Sequence, residues 1–263
     1  MYDFAYQKPT SVADAVKLLA DPDAKPLAGG QTLIPVLKQR LNKPNIVVDL
    51  AKLGLSGITV AGGTVTIGAM TPHATVARSG EVKRAIPALA SLAAGIGDPA
   101  VRYRGTIGGS LANNDPTADY PAAALALMAT IKTNKRSIAA DDYFKGMFTT
   151  ALEPGEIITA VEFPVPEKAG YEKFRNPASR YAMVGVFVAR GPKGVRVAVT
   201  GAGQNGVFRH TAFEQALAKS WTESALVGVA TPADGLNSDI HGSAEYRAHL
   251  VGVIARRALA AAG

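Results

Sequence analysis

The chain has 263 residues, of which 48% are hydrophobic and 19% charged, and it contains no cysteine. This composition is typical of a folded globular protein, and the absence of cysteine excludes disulfides and any Cys-ligated zinc or iron–sulfur centre on this chain. The formal net charge of +7 comes from scattered Lys and Arg without a clustered basic tract, so we expect no nucleic-acid partner.

The chain also lacks the patterns of membrane proteins and secreted proteins. No apolar run reaches the roughly 18 residues that a membrane span needs. The N-terminus, Met1-Tyr2-Asp3-Phe4, has neither the basic start nor the apolar stretch of a secretory signal. We therefore expect a cytoplasmic location and no membrane span.

Helix and strand signals alternate at the start of the chain. Ser11, with Asp14 three residues later, predicts a capped helix that ends before Asp21. The apolar run 46–50 predicts a buried strand. Alternating residues on both sides of Gly62-Gly63 then predict a β-hairpin.

Two helices and a boundary are predicted in the middle of the chain. Thr71 and Pro72 predict the N-cap and first turn of a helix that continues to about Arg78, and a second helix is predicted for residues 85–94. A strand is predicted for residues 157–163. The prolines that follow it, in Pro164-Val165-Pro166, indicate a domain boundary.

The last third of the chain has the pattern of a hairpin followed by helices. The apolar runs 183–189 and 195–200 flank the turn Gly191-Pro192-Lys193-Gly194. Apolar-periodic helices are predicted at 211–218 and 244–262. This order predicts an α+β domain of roughly 90 residues.

A literal G-x-G-x-x-G motif occupies residues 201–206, directly after the second strand of that hairpin. A Rossmann fingerprint requires a helix that starts within the motif and a parallel βαβ unit. Here the next helix signal begins only at Thr211 and the strands are predicted to be antiparallel. We therefore interpret the motif as a strand-exit loop.

Two glycine-rich stretches, residues 27–35 and 105–119, carry the strongest functional signal. Glycine pairs flanked by hydroxyl and amide side chains allow backbone N–H groups to surround a phosphate. Both stretches could be ordinary turns, but together they predict two sides of one diphosphate site for a flavin dinucleotide. The predicted donors are the amides of Gly29, Gly30, Gly108 and Gly109 and the hydroxyls of Thr32, Thr106 and Ser110, while Asp119 is predicted to accept bonds from ribose or adenine.

The histidines and hydroxyl residues form no catalytic or metal-binding pattern. The four histidines have no metal-ligand spacing, and no Ser/His/Asp arrangement is present. We interpret His73 as a surface or capping residue rather than a covalent flavin anchor, and His249 as a structural residue of the last helix. No catalytic residue and no metal ligand is predicted on this chain.

Three motifs in the same order carry a family resemblance. Ala-Gly-Gly-Gln-Thr-Leu-Ile-Pro, Thr-Ile-Gly-Gly-Ser with its Asp-Pro-x-x-Asp sequel, and Tyr171-Glu172-Lys173-Phe174 resemble the FAD-binding medium subunit of molybdenum hydroxylases of the carbon monoxide dehydrogenase and xanthine dehydrogenase type. The resemblance covers essentially the whole chain. It implies a vanillyl-alcohol-oxidase-type fold with FAD-binding subdomains at 1–56 and 57–166 and a C-terminal domain at 167–263, made of an antiparallel sheet and helices.

The resemblance also implies which residues hold noncovalent FAD. It puts Asp119 on the adenosine half and Lys173 and Tyr181 near the isoalloxazine ring, although by themselves these two residues read as a solvated lysine and a core tyrosine. Ile96 and Ile158 are implied as apolar contacts. The residues implied around the pyrophosphate are Ala28, Gly29, Gly30, Gln31, Thr32 and Leu33 in the first loop and Thr106, Ile107, Gly108, Gly109 and Ser110 in the second.

Two departures from the family pattern are visible. Arg180 stands just before Tyr181, where carbon monoxide dehydrogenases have an acidic residue, so the flavin rim is expected to differ. Gln31 and Thr32 replace the usual His or Gln and Ser, but both keep their hydrogen-bonding ability. We therefore expect FAD binding to be retained.

The implied function is an electron relay within a larger enzyme. A large molybdopterin-binding subunit would oxidise the substrate, a small subunit would carry [2Fe-2S] clusters, and FAD on this chain would pass electrons to an external acceptor. The family implies that such heterotrimers pair into a dimer. Two alternatives remain at this point: a self-sufficient FAD oxidase or dehydrogenase of the same fold, and an assembly or scaffold protein without cofactor. The sequence names neither the substrate nor the acceptor.

Overall fold

The computed structural model describes residues 1–263, and its first segment is a small sheet with two helices. The sheet is parallel, in the order β1-β3-β2. Ser11 caps the first helix as predicted, because its Oγ accepts a hydrogen bond from the Asp14 amide at 3.1 Å. The elements are β1 (Ala5–Gln7), α1 (Val12–Leu18), β2 (Ala24–Leu27), α2 (Leu33–Lys38) and β3 (Ile46–Asp49), followed by a 3-10 turn at Leu50–Lys52.

The middle segment is a five-stranded antiparallel sheet covered by helices. Its strand order is β4-β5-β10-β6-β7, and the predicted hairpin forms its first two strands. The strands are β4 (Ile58–Ala61), β5 (Thr64–Gly68), β6 (Thr130–Thr133), β7 (Ser137–Ala139) and β10 (Ile158–Pro164), with a separate hairpin of β8 (Phe144–Gly146) and β9 (Thr149–Thr150). The helices are α3 (His73–Arg78), α4 (Gly80–Ala85), α5 (Pro87–Ala94), α6 (Pro99–Arg104), α7 (Ile107–Asn113), α8 (Tyr120–Ala126) and α9 (Ala140–Tyr143).

Two details of this segment differ from the sequence prediction. The helix predicted for 85–94 begins only at Pro87, because proline has no N–H for a preceding helix and is favoured in the first turn of a new one. Pro72, not Thr71, occupies the N-cap position of α3. The Thr71 hydroxyl instead donates to the Gly57 carbonyl at 3.1 Å, which joins α3 to the start of β4.

The last segment is a four-stranded antiparallel sheet with two helices, in the order β11-β12-β13-β14. The predicted hairpin and both predicted helices are confirmed. The G-x-G-x-x-G stretch is a loop after an antiparallel strand, so the Rossmann interpretation is excluded. The elements are β11 (Lys168–Arg175), β12 (Ala182–Gly191), β13 (Gly194–Thr200), β14 (Phe208–Arg209), α10 (Thr211–Lys219) and α11 (Ala244–Ala261), with a 3-10 turn at Glu223–Leu226.

The hydrophobic core joins the last two segments. The largest buried cluster runs from β5 and α5 through α8 to Tyr171 and Phe187 of the last sheet. A second cluster fills the space between β12, β13 and helices α10 and α11. The strands of each of the three larger sheets come from within one of the predicted ranges 1–56, 57–166 and 167–263. None of the helices combines the length and the apolar character that crossing a bilayer requires.

Candidate cofactor site

The first glycine loop presents unpaired backbone donors. The amides of Gly29, Gly30, Gln31 and Thr32 donate to no acceptor in the protein. Gly30 has φ +74°, a left-handed conformation that L side chains rarely adopt. The hydroxyl of Thr32, at the start of α2, makes no capping bond. Successive free N–H groups in a tight loop form an anion-binding concavity without a full positive charge.

The second glycine loop is different, because its amides are already bonded. The amides of Gly108 and Gly109 therefore have acceptors within the protein, which does not support their predicted role as donors to a phosphate. What this loop offers to a ligand is the Ser110 hydroxyl, which makes no hydrogen bond within the protein, and a close backbone approach. The internal bonds run from Ile107 to the Thr71 carbonyl (3.2 Å), from Gly108 to the Ala69 carbonyl (2.9 Å), from Gly109 to Thr106 Oγ1 (3.1 Å) and from Ser110 to the Thr106 carbonyl (3.0 Å).

The two loops touch each other and share one cavity of about 520 Å³. A β-carbon added to Gly29 would lie 2.0 Å from the carbonyl oxygen of Arg104, at the end of the helix that precedes the second loop. A β-carbon added to Gly109 would lie 3.5 Å from the Ala28 side chain. Gly29 therefore allows a backbone approach that any other residue would prevent, whereas the distance at Gly109 is an ordinary contact.

Most of the residues predicted for the cofactor line this cavity. Of the two that do not, Ile107 is fully buried in the core behind the second loop, and Lys173 lies behind Asp119. The predicted residues that line the cavity are Ala28, Gly29, Gly30, Gln31, Thr32, Leu33, Ile96, Thr106, Gly108, Gly109, Ser110, Asp119, Ile158 and Tyr181.

Asp119 and Lys173 form a buried ion pair in the cavity wall. The Lys173 ammonium lies 2.8 Å from Asp119 Oδ1, and both side chains are less than 5% exposed. Tyr171 also donates its hydroxyl to this carboxylate. Burial raises the pKa of Asp119, and the Lys173 ammonium opposes that shift. Asp119 and Lys173 therefore lie at the same point of the cavity wall, Lys173 is buried rather than solvated, and the part of FAD that each residue meets stays a prediction.

His73 is a cavity residue that the sequence interpretation missed. Its side chain is buried rather than on the surface, packs 5.4 Å from the Tyr120 ring between centroids and leaves Nδ1 without a partner. Burial lowers the pKa of His73 to about 4, with a smaller effect of the same sign from Arg102. His73 is therefore neutral at pH 7. Val76, an apolar residue three positions after His73, is also buried on α3. This helical spacing is the sequence signal that could have predicted a buried His73.

Glu156 is a further cavity residue that the sequence interpretation missed, whereas Tyr181 was predicted as a cofactor contact. Glu156 lines the cavity, and the Arg136 guanidinium holds the pKa of its carboxyl at about 2. Tyr181 is half exposed rather than a core tyrosine, and burial of its remaining surface raises its pKa. The further lining residues are mostly apolar or small: Lys25, Pro26, Val36, Leu50, Ala69, Met70, Val101, Gly105, Ala112, Asn113, Asp115, Ala118, Leu152 and Ile157.

No group of three or more histidine, aspartate or glutamate side chains is placed to hold a metal ion. The chemistry that the site itself supports is the binding of a nucleotide, with free amides beside a partly apolar cavity.

Comparison with known proteins identifies the family. The model of the FAD binding domain in molybdopterin dehydrogenase matches residues 2–166. The chain belongs to this family. The carbon monoxide dehydrogenase medium chain of Afipia carboxidovorans is 37% identical over 97% of this chain and 95% of its own. The nicotine 6-hydroxylase medium subunit of Paenarthrobacter nicotinovorans is also 37% identical, over 98% and 96%.

A solved structure extends the similarity to three dimensions. Reconstituted CO dehydrogenase from Oligotropha carboxidovorans contains a chain with a TM-score of 0.89 and 36% identity, covering 99% of this chain and 98% of that one. The predicted mixed α and β fold is confirmed at this level. As a molybdopterin dehydrogenase FAD-binding subunit, the chain is part of an oxidoreductase, and the comparisons do not favour a self-sufficient oxidase or a cofactor-free scaffold.

Proposed function

We propose that this chain binds FAD noncovalently in the loop cavity and relays electrons from iron–sulfur clusters on a partner subunit to an external acceptor. The observation that carries the proposal is the run of four unpaired amides, Gly29 to Thr32, whose residues line the same cavity as the second loop. Gly29 and Gly30 are half-buried and Gln31 and Thr32 are exposed, so these four donors are open to a ligand or to water, and the two half-buried ones are costly to leave without an acceptor. A pyrophosphate supplies the required oxygens without a metal.

The residues present fit this cofactor. The first-loop amides and the Ser110 hydroxyl hold the pyrophosphate, and Ile96 and Ile158 contact the apolar rings. Asp119 accepts hydrogen bonds from the ligand, and Lys173 keeps that carboxylate in place from behind. When bound, FAD supplies reversible one- and two-electron chemistry. Since the cofactor carries that chemistry, the chain needs no general base or nucleophile of its own.

The finer architecture is also part of the proposal. Residues 1–56 and 57–166 are proposed as two FAD-binding subdomains of the vanillyl-alcohol-oxidase type, and residues 167–263 as a C-terminal domain. The chain is proposed to join a large molybdopterin subunit and a small iron–sulfur subunit, and these heterotrimers to pair into a dimer. The similar proteins are named as a medium chain and a medium subunit, which supports a multi-subunit assembly.

The substrate is proposed to be selected by the molybdenum subunit and not by this chain. The two relatives with 37% identity are named for different substrates, carbon monoxide and nicotine. Equal similarity to both is expected if the cofactor cavity of the medium subunit never meets the substrate. The cavity residues therefore support FAD as the ligand of this chain and do not identify the substrate of the enzyme.

The proposal is tested with the purified chain and an absorption spectrum. We expect a yellow protein, or a colourless one that takes up added FAD, and release of all flavin on acid precipitation because the attachment is noncovalent. Substrates of molybdenum hydroxylases should leave this flavin oxidised until the two partner subunits are added. Flavin reduction by substrate in the isolated chain would contradict the relay, and failure to take up FAD would contradict the cofactor assignment.

A further inference from the structure

The His73 imidazole has no hydrogen-bond partner in the protein for either of its nitrogens. Nδ1 is buried without a partner, and so is the hydroxyl of Tyr120, whose ring packs against the imidazole. Nε2 bonds to no protein atom either, but it keeps accessible surface. Because His73 is only 5% exposed and lines the cofactor cavity, we infer that this surface opens onto the cavity. A polar group of this kind requires a water or a ligand to satisfy it.

The imidazole is held at the start of the second glycine loop. The His73 amide donates to the Gly105 carbonyl at 2.9 Å, and Pro72 and Thr106 form an antiparallel β-bridge beside this bond. A β-carbon added to Gly105 would lie 2.6 Å from His73 Nε2 and 2.9 Å from its Cδ2. The absence of a side chain at Gly105 therefore makes room for the imidazole, and the backbone bonds fix where α3 presents it.

Gly105 also contacts the first glycine loop, which carries the free amides. A β-carbon added to Gly29 would lie 2.8 Å from the Gly105 Cα. The backbone of Gly105 is therefore in contact both with the imidazole of His73 and with Gly29. His73 and the unpaired amides of Gly29 and Gly30 hence lie near one another in the wall of a single cavity.

The environment of the ring favours a neutral imidazole with its proton on Nε2. Burial and the neighbouring Arg102 guanidinium both lower the pKa of His73, so at pH 7 the ring has one N–H and one acceptor nitrogen. A proton on Nδ1 would leave a buried N–H without an acceptor. A proton on Nε2 instead meets the cavity, where a ligand oxygen or a water can accept it. His73 is therefore an uncharged donor toward the cavity.

A donor at this position supplies what the second glycine loop lacks. The amides of residues 107–110 are bonded within the protein, and the Ser110 hydroxyl is left as a free donor. A diphosphate has more oxygens than the four amides of the first loop can reach from one loop, so further donors beside the second loop would strengthen its binding. The imidazole N–H adds such a donor without a full positive charge, as the free amides do.

We propose that His73 Nε2 donates a hydrogen bond to a pyrophosphate oxygen of FAD, beside the free amides of the first loop. The inference rests on the proposed function and adds to the site a residue that neither glycine loop contains. Hydrogen bonds to an ionised phosphate are stronger than those between neutral groups. His73 therefore strengthens the binding of the cofactor and takes no part in electron transfer.

The test measures the dissociation constants of FAD and of ADP, which also carries a diphosphate, for the full-length chain freed of flavin. His73→Leu removes both nitrogens. His73→Gln can place an N–H near the position of Nε2, whereas the shorter side chain of His73→Asn reaches only the position of Nδ1. We expect His73→Leu and His73→Asn to bind both ligands more weakly by about tenfold or more. His73→Gln should retain most of the wild-type affinity.

Urea unfolding of the same flavin-free samples at pH 7 separates a ligand contact from a structural role. Replacing an unpaired buried imidazole by leucine should leave the free energy of unfolding unchanged or higher, so that the loss is confined to ligand binding.

Four results would overturn the inference, and one of them also bears on the proposed function. Unchanged FAD affinity of His73→Leu would exclude the contact. Equal losses in His73→Leu and His73→Gln, together with lower stability of the flavin-free protein, would make His73 a structural residue. Weaker FAD binding with unchanged ADP binding would exclude the pyrophosphate as the acceptor. Only a wild-type chain that takes up no FAD would contradict the proposed function, and the contact with it.

Discussion

Gly29 is the position at which the two glycine loops approach most closely, and Gly29→Ala tests whether FAD binding depends on that contact. A β-carbon there would lie 2.0 Å from the Arg104 carbonyl oxygen, whereas ordinary contact begins at 3.4 Å. The loops must therefore part by about 1.4 Å, and no side-chain rotation can relieve a clash with backbone. Overpacking of this kind costs about 1–3 kcal/mol, a factor of about 5 to 150 in an equilibrium constant.

We expect Gly29→Ala to bind FAD more weakly by that factor and to unfold at a lower urea concentration. Titration of the apoprotein with FAD, followed by flavin fluorescence, measures the first effect, and urea unfolding measures the second. Gly252→Ala is the matched control, because a β-carbon at this helical position meets nothing within 4 Å. It should leave FAD affinity unchanged and stabilise α11 by about 0.5–1 kcal/mol. FAD affinity of Gly29→Ala within twofold of wild type would refute the reasoning.

Three further predictions concern the polar residues of the cavity wall and are tested by urea unfolding. Asp119→Asn leaves the buried Lys173 ammonium unpaired and should lower the unfolding free energy by about 3–5 kcal/mol. Adding Lys173→Met should recover most of that loss. A double variant without recovery would contradict the pairing of Asp119 with Lys173. The pKa of His73 is about 4 in the folded protein and 6.5 in its ordinary state. The unfolded chain therefore binds this proton at a higher pH than the folded protein, and stability on the order of 3 kcal/mol should be lost as the pH falls from 6.5 to 4. In His73→Leu the unfolding free energy should depend less on pH over this range. An unchanged pH dependence would contradict the lowered pKa of His73. The Arg136 guanidinium lowers the pKa of Glu156 to about 2 from 4.5, so its contribution is present above pH 4.5 and lost toward pH 2. Glu156→Gln should remove this acid-dependent loss, on the order of 2 kcal/mol, and a retained loss would point to another carboxyl group.

Local signals carried much of the fold prediction. The Ser11 cap, the hairpin turns and the apolar periodicity of α10 and α11 depend on residues within one or two turns of each other, and all are confirmed. The break at Pro87 was also present in the sequence, but the apolar residues around it favoured one continuous helix. Neighbouring residues decide such features because their backbone geometry is set by local hydrogen bonds and sterics.

The sequence predicted which loops form the candidate site but not which of their groups are free to bind a ligand. Glycine pairs identified both loops because a close backbone approach needs a residue without a β-carbon, whatever its partner is. Which amides remain free was not predictable, since Gly108 is bonded to Ala69, a residue 39 positions earlier in the chain. The pairing of Asp119 with Lys173 likewise joins residues 54 positions apart.

The sequence by itself determined the family, the two glycine loops and most of the local structure, because each depends on residue types at short, fixed spacings. Only the tertiary structure decided that the first loop holds the free amides, that His73 is buried and neutral, and that Asp119 pairs with Lys173. Hydrogen-bond partners, burial and pKa values depend on which distant segments pack together, and no local pattern of residues specifies that packing.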